Sequence, residues 1–92
     1  MGNNNQPLIS VIMACYNAAP FVAEAVSSVL EQTIGNTEVI VVDDGSDDAS
    51  PEIVMQLTDE HPGRVRLVHM KHSGPYPARN AGLGVARGDY IA

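Results

Sequence analysis

The sequence predicts an α/β fold, a three-layer arrangement with a mostly parallel sheet between helices, in the order β-α-β-α-β-α-β. Two observations carry that expectation. Short apolar runs rich in β-branched residues alternate with stretches whose apolar residues recur at helical spacing. Clusters of Gly, Asp, Asn, Ser and Pro punctuate the alternation. Strands covered by helices on both faces read as such near-continuous apolar runs, and strands joined through helices pair in parallel.

Residues 8–14, Leu-Ile-Ser-Val-Ile-Met-Ala, are the first expected strand. The first helix follows. Phe21, Val22, Ala25, Val26, Val29 and Leu30 paint one face, and Glu24, Ser27, Ser28 and Glu31 the other. Pro20 suits its first position and Gly35 lies past its end. Residues 39–42, Val-Ile-Val-Val, form a second strand closed by Asp43-Asp44-Gly45. The next helix is expected to take Ser50 as N-cap and Pro51 as its first residue, with Ile53, Val54 and Leu57 facing inward. His61-Pro62-Gly63 stops it. A third strand covers residues 65–69, a short helix residues 77–86, and a fourth strand begins at Tyr90. Residues 1–6, polar and containing Asn3-Asn4-Asn5, are expected to be a disordered tail, leaving residues 7–92 as one domain.

Composition narrows the function. A chain of 92 residues has room for one small domain, and 45% apolar residues is a globular value. Five basic against eleven acidic residues give a formal charge of -6, which argues against a nucleic-acid partner because phosphate neutralisation needs a basic face. The single cysteine, Cys15, cannot form an intramolecular disulfide and fits a reducing compartment. No run reaches the ~18–20 apolar residues of a membrane helix, and residues 1–6 carry no basic region of a signal peptide. The expected setting is soluble and cytoplasmic.

Right-handed crossovers bring the strand C-termini to one edge of the sheet, where open α/β folds bind ligands. The unusual residues of this chain fall there: Ala14-Cys15-Tyr16-Asn17 after the first strand, Asp43-Asp44-Gly45-Ser46 after the second, and Lys71-His72-Ser73-Gly74 after the third. Asp43 and Asp44 have two readings. They are turn residues approaching a helix, or carboxylates that accept hydrogen bonds from a base N–H or a ribose hydroxyl. The alternating spacing of an EF-hand is absent, which argues against calcium. Tyr16 is either a packing residue or a face on which a nucleobase stacks. Arg79 is either a solvated arginine or a contact to a diphosphate or base. His61, His69 and His72 lack the spacing of a zinc site, and neither a P-loop nor a G-x-G-x-x-G fingerprint is present.

Four segments together resemble one family. Residues 7–17, Pro-Leu-Ile-Ser-Val-Ile-Met-Ala-Cys-Tyr-Asn, look like the opening strand of family-2 glycosyltransferases, inverting nucleotide-sugar enzymes with a GT-A fold. Residues 26–33, Val-Ser-Ser-Val-Leu-Glu-Gln-Thr, are similar to that family's S-x-L-x-Q-T helix end, and residues 38–47, Glu-Val-Ile-Val-Val-Asp-Asp-Gly-Ser-Asp, to its nucleotide-binding strand and turn. Gly74, Ala78, Arg79, Asn80, Gly82, Ala86, Gly88 and Tyr90 carry its G-x-x-x-A-R-N-x-G-x-x-x-A-x-G-x-Y pattern.

The resemblance implies a Rossmann-like, GT-A nucleotide-binding half. It implies that Ala14 and Tyr16 border the nucleobase, Tyr16 by stacking. By the same resemblance Asp44 hydrogen-bonds the base with Asp43 beside it, and Arg79 lies near the base or diphosphate. The partners implied are a nucleotide-sugar donor, a UDP-sugar first, and a carbohydrate or glycolipid acceptor. Two positions depart from the family. Ala14 stands where Thr is frequent, and His72 stands where Asn is frequent. The family's acidic metal motif, which holds Mn2+ or Mg2+ against the donor diphosphate, and its catalytic base are expected beyond Ala92, so no catalytic or metal residue is assigned here. The full-length protein is expected in the cytoplasm or at the inner face of a membrane. Two other readings compete. One is a non-catalytic nucleotide- or protein-binding fragment, prone to self-association through an open sheet edge. The other is a phosphoacceptor of receiver type, disfavoured because Tyr16-Asn17 stand where its acid pair belongs.

Overall fold

Seven elements alternate along the chain in a computed structural model. They are β1 (Ile9–Cys15), α1 (Ala19–Gln32), β2 (Thr37–Asp44), α2 (Ser50–Glu60), β3 (Val65–Met70), α3 (Pro75–Val85) and β4 (Tyr90–Ile91). The structure describes residues 9–32, 36–72, 74–87 and 90–91; the expected tail, Leu8 and Gly35 lie outside them. The strands pair in the order β3-β2-β1-β4, and each pairing is parallel. The α/β class and the element order are those expected from the sequence.

Strand β2 organises the sheet because all eight of its residues are buried. Its side chains alternate between two apolar layers. Val39 and Val41 join Cys15, Val22, Val26, Leu30, Val54, Leu57 and Val65 in the layer under α1 and α2. Ile40 and Val42 join Ala78 in the layer under α3, with Ile12, Val68, Met70 and Ala81 packed against them. Each fully buried Val or Ile contributes about 1.5–3 kcal/mol. Helix α3 lies close on the sheet because Gly82 has no side chain: a Cβ there would stand 2.5 Å from Ile12 Cγ2.

Three local expectations need correction. Phe21 was expected on the inner face of α1, yet it is 68% exposed. The row Val22, Val26 and Leu30 takes the core instead, since neighbours on a helix stand about 100° apart and only one of each pair meets the sheet. Ser50 is not an N-cap but the first residue of α2. Its hydroxyl is engaged by Asp48 Oδ1 and by the Ala18 N–H, while Asp48 Oδ1 accepts the Ser50 N–H. Helix α3 starts at Pro75 rather than Pro77, because prolines fit the first turn, where N–H groups have no intrahelical partner.

The N-terminal end of β2 carries a buried carboxylate that the sequence reading left without a role. Glu38 is 1% exposed. It accepts from Ser10 Oγ at 2.5 Å, Arg66 Nη1 at 3.2 Å, and the N–H, Nε and Nη2 of Arg87 at 2.8, 3.1 and 3.0 Å. Burial pushes its pKa up, but these donors outweigh burial and hold it at about 2, against an ordinary 4.5. Arg66 Nη1 also donates to Val85 O at the end of α3, and Arg87 Nη2 to Gly63 O before β3. Glu38 therefore ties together the loops at the edge opposite the strand C-termini.

Candidate nucleotide site at the sheet edge

The parallel register aligns Cys15 with Asp43, Asp43 with His69, and Asp44 with Met70. The segments after β1, β2 and β3 therefore meet at one edge, as the crossover rule requires. Two of them are latched. Asn17 takes a left-handed conformation, φ 50°, which asparagine tolerates better than most residues. Its Oδ1 accepts the Asp47 N–H at 2.7 Å, and its own N–H donates to Ser46 Oγ at 2.9 Å. The N–H of Ala18 donates to Ser50 Oγ and that of Ala19 to Asp48 Oδ2. The Ser50 hydroxyl and N–H hold the Asp48 carboxyl below its usual pKa.

A cavity of about 200 Å³ opens beside the latch, lined by Ala14, Cys15, Tyr16, Asp44, His72, Gly74 and Ala78. It is smaller than the ~300–1,000 Å³ of whole-ligand pockets and suits one ring system of a larger ligand. The Asp44 carboxylate is almost wholly buried. Its Oδ2 accepts the Gly74 N–H at 3.0 Å and lies 3.1 Å from His72 Nδ1. The same Nδ1 lies 3.1 Å from the Asp44 backbone carbonyl oxygen. Tyr16 and His72 stack with ring centroids 4.2 Å apart and planes inclined by 26°. Gly45 makes this approach possible: its φ is +74°, and a Cβ there would stand 2.7 Å from the His72 backbone nitrogen.

Of the five residues singled out from sequence, three line the cavity: Ala14, Tyr16 and Asp44. Asp43 turns the other way. Its Oδ1 accepts from Ser46 Oγ at 2.6 Å and its Oδ2 from the Ser46 N–H at 3.2 Å, which closes the turn after β2. Arg79 is exposed on α3 and is not a lining residue. Cys15, His72, Gly74 and Ala78 complete the lining. The signal for His72 and Gly74 was their place just after a strand C-terminus. The signal for Ala78 was its position four residues after Gly74, one helical turn. Burial pushes the Cys15 thiol pKa up, against a lowering hydrogen bond from Ser50, as befits a core residue at the cavity wall. Among the described residues, no three His, Cys, Asp or Glu side chains are placed to hold a metal ion.

A parallel sheet with helices on both faces and an acid-and-aromatic cavity at its C-terminal edge is the Rossmann-like arrangement of GT-A enzymes. The family model for glycosyl transferase family 2 matches residues 10–92, and the chain belongs to that family. It is 44% identical over 87 residues to the succinoglycan biosynthesis protein ExoO of Rhizobium meliloti (strain 1021), covering 94% of this chain and 24% of that protein. Among solved structures it resembles the mannosyltransferase PcManGT from Pyrobaculum calidifontis in complex with GDP-Man and Mn2+. The TM-score is 0.85 at 32% identity, over 96% of this chain and 27% of that one. It also resembles S. aureus TarS 1-349 in complex with UDP, with TM-score 0.80 at 28% identity, over 91% of this chain and 25% of that one. The chain spans about a quarter to a third of the length of several curated relatives it matches.

Proposed function

We propose that this chain is the nucleotide-sugar-binding part of a family-2 glycosyltransferase. One observation carries the reading: a buried carboxylate, Asp44, beside an aromatic face, Tyr16, in a ring-sized cavity at the sheet's C-terminal edge. The GDP-Man and UDP complexes of the structural neighbours support it. In this reading Tyr16 stacks on the base, Asp44 accepts a base N–H, and Ala14 leaves room at the pocket floor. Asp43 acts through the turn it closes, and Arg79 reaches the diphosphate from α3. A UDP-sugar is the donor we infer first.

The parent reaction transfers the sugar with inversion. An acceptor hydroxyl oxygen on a carbohydrate or glycolipid attacks the anomeric carbon, the bond to the diphosphate oxygen breaks, and its electron pair leaves on the nucleoside diphosphate. The hydroxyl proton goes to a base outside these 92 residues. A divalent cation, Mn2+ or Mg2+, would counter the charge of the leaving diphosphate. Among the described residues none are grouped to hold it, and we infer that its ligands come from beyond Ala92 in the whole protein. No described helix is long and apolar enough to cross a membrane. We place the enzyme in the cytoplasm, acting at the inner face of a membrane where its acceptor is a glycolipid.

Calorimetric titration of the full chain with UDP and with GDP, with and without Mn2+, tests the reading. Binding of one nucleotide is expected, weakened about tenfold or more by Tyr16→Ala and by Asp44→Asn, as loss of a stacking face or a charged acceptor implies. Absence of binding by either nucleotide, with metal present, overturns it.

A further inference from the structure

His72 does within the chain what the reading above asks of a nucleobase. Its flat heteroaromatic ring lies on Tyr16, centroid to centroid 4.2 Å. Its Nδ1 sits 3.1 Å from Asp44 Oδ2 and 3.1 Å from the Asp44 carbonyl oxygen. Both neighbours are acceptors, so Nδ1 carries the hydrogen and donates it. A ring stacked on Tyr16 that gives an N–H to Asp44 reproduces the two contacts assigned to the base.

The two occupants exclude each other. Stacked rings lie about 3.5–4 Å apart. The 4.2 Å between the Tyr16 and His72 rings leaves no space for a third ring between them. A base that uses this face of Tyr16 must therefore displace His72. The displacement is local. The His72 side chain is 58% exposed, and rotation about its side-chain bonds carries the ring to solvent while the backbone stays beside Gly45.

We propose that His72 is an intramolecular stand-in for the nucleobase, which holds the base site closed until a nucleotide displaces it. The proposal rests on the nucleotide reading of Tyr16 and Asp44. Its consequence is that His72 lowers the affinity for nucleotide, because only the fraction of molecules with the ring swung out is competent to bind. It also sets selectivity: a base gains entry only if its stacking and its N–H outdo those of the imidazole.

The test compares the unmodified full chain with His72→Ala and His72→Phe by calorimetric titration with UDP and with GDP. His72→Ala is expected to tighten binding about three- to tenfold, the worth of one stacked ring pair. His72→Phe keeps the stack without the N–H and is expected to gain less. In the unmodified chain, proton NMR of the His72 ring is expected to show the ring-current shift from Tyr16 disappear as UDP is added. That readout needs no variant to fold. If the unmodified chain binds UDP or GDP but His72→Ala binds no more tightly, or the His72 resonances keep their shift at saturation, the stand-in role is overturned while Tyr16 and Asp44 remain base contacts. If the unmodified chain and both variants bind neither nucleotide, the nucleotide reading falls and takes the proposal with it.

Discussion

The two ends of β2 each bury a carboxylate, and the surroundings give them opposite characters. At the N-terminal end, Glu38 meets two guanidinium groups, a hydroxyl and a backbone N–H, drawn from β1, β3 and the segment after α3. At the C-terminal end, Asp44 faces a cavity, and its contacts include the Gly74 N–H and the His72 imidazole. Burying a charge is costly unless it is paired and hydrogen-bonded. Glu38 meets that requirement within the fold and so serves the fold. Asp44 lines the cavity and so, in the proposed reading, is placed to meet a ligand. Same strand, same burial and same chemical group thus stand in two different surroundings, one inside the fold and one at a cavity wall.

The contrast is broken most directly at Glu38. Glu38→Ala leaves Arg66 and Arg87 facing a buried gap and is expected to cost about 3 kcal/mol, the lower end for removing one partner of a buried ion pair, since both arginines keep some access to water. Urea unfolding measures the loss. The affinity of the folded fraction for UDP is expected to stay within about twofold. A large affinity loss would show that the two ends are not separable.

Acid sharpens the same point. The folded pKa of Glu38, about 2, lies below its ordinary 4.5. Its stabilising contribution is therefore fully present above pH 4.5 and is lost as pH falls through 2. Stability of the unmodified chain is expected to drop by up to about 3 kcal/mol across that window. In Glu38→Gln this part of the pH dependence is expected to vanish, as denaturant midpoints at stepped pH would show.

At the opposite end, Gly45→Ala forces a Cβ onto a left-handed residue and against the His72 backbone. The expected cost is about 1–3 kcal/mol in stability, together with weaker UDP binding because the segment after β3 is displaced. The smallest effect is at Cys15. Its buried thiol, with a raised pKa, is expected to react with iodoacetamide at pH 8 at least about tenfold slower than in the urea-unfolded chain. Mass spectrometry follows the modification, and Glu38→Ala is expected to speed it by opening the core.

Much of this was legible because apolar runs and turn clusters carry the alternation. Val39 to Val42 announced β2, and the resemblance named Tyr16 and Asp44. What escaped depends on long-range partners. The expected strand stopped at residues 39–42 with Asp43-Asp44 closing it, yet β2 runs Thr37–Asp44 with Thr37, Glu38, Asp43 and Asp44 all buried within it. Glu38 is admissible there only because Ser10 and Arg66, each 28 positions away, and Arg87, 49 away, converge on it. Asp43 and Asp44 are adjacent and alike, and the strand's alternation sends them to opposite sides: one closes a turn with Ser46, the other faces the cavity. Composition and spacing could not separate them. His72 entered the reading as a departure from a family pattern, and only the proximity that Gly45 permits gives it a place.

The latch between the two loops has a consequence for redesigning the cavity. Asn17, Ser46, Asp48 and Ser50 each satisfy a polar group on another member or on the neighbouring backbone, so altering any one loosens the tie between the two loops. Ala14 and His72 lie outside that mutual commitment while lining the same cavity. If the cavity takes a base as proposed, a designer wanting a different one would vary those two and leave the latch alone, so that the pocket's chemistry changes while its frame does not.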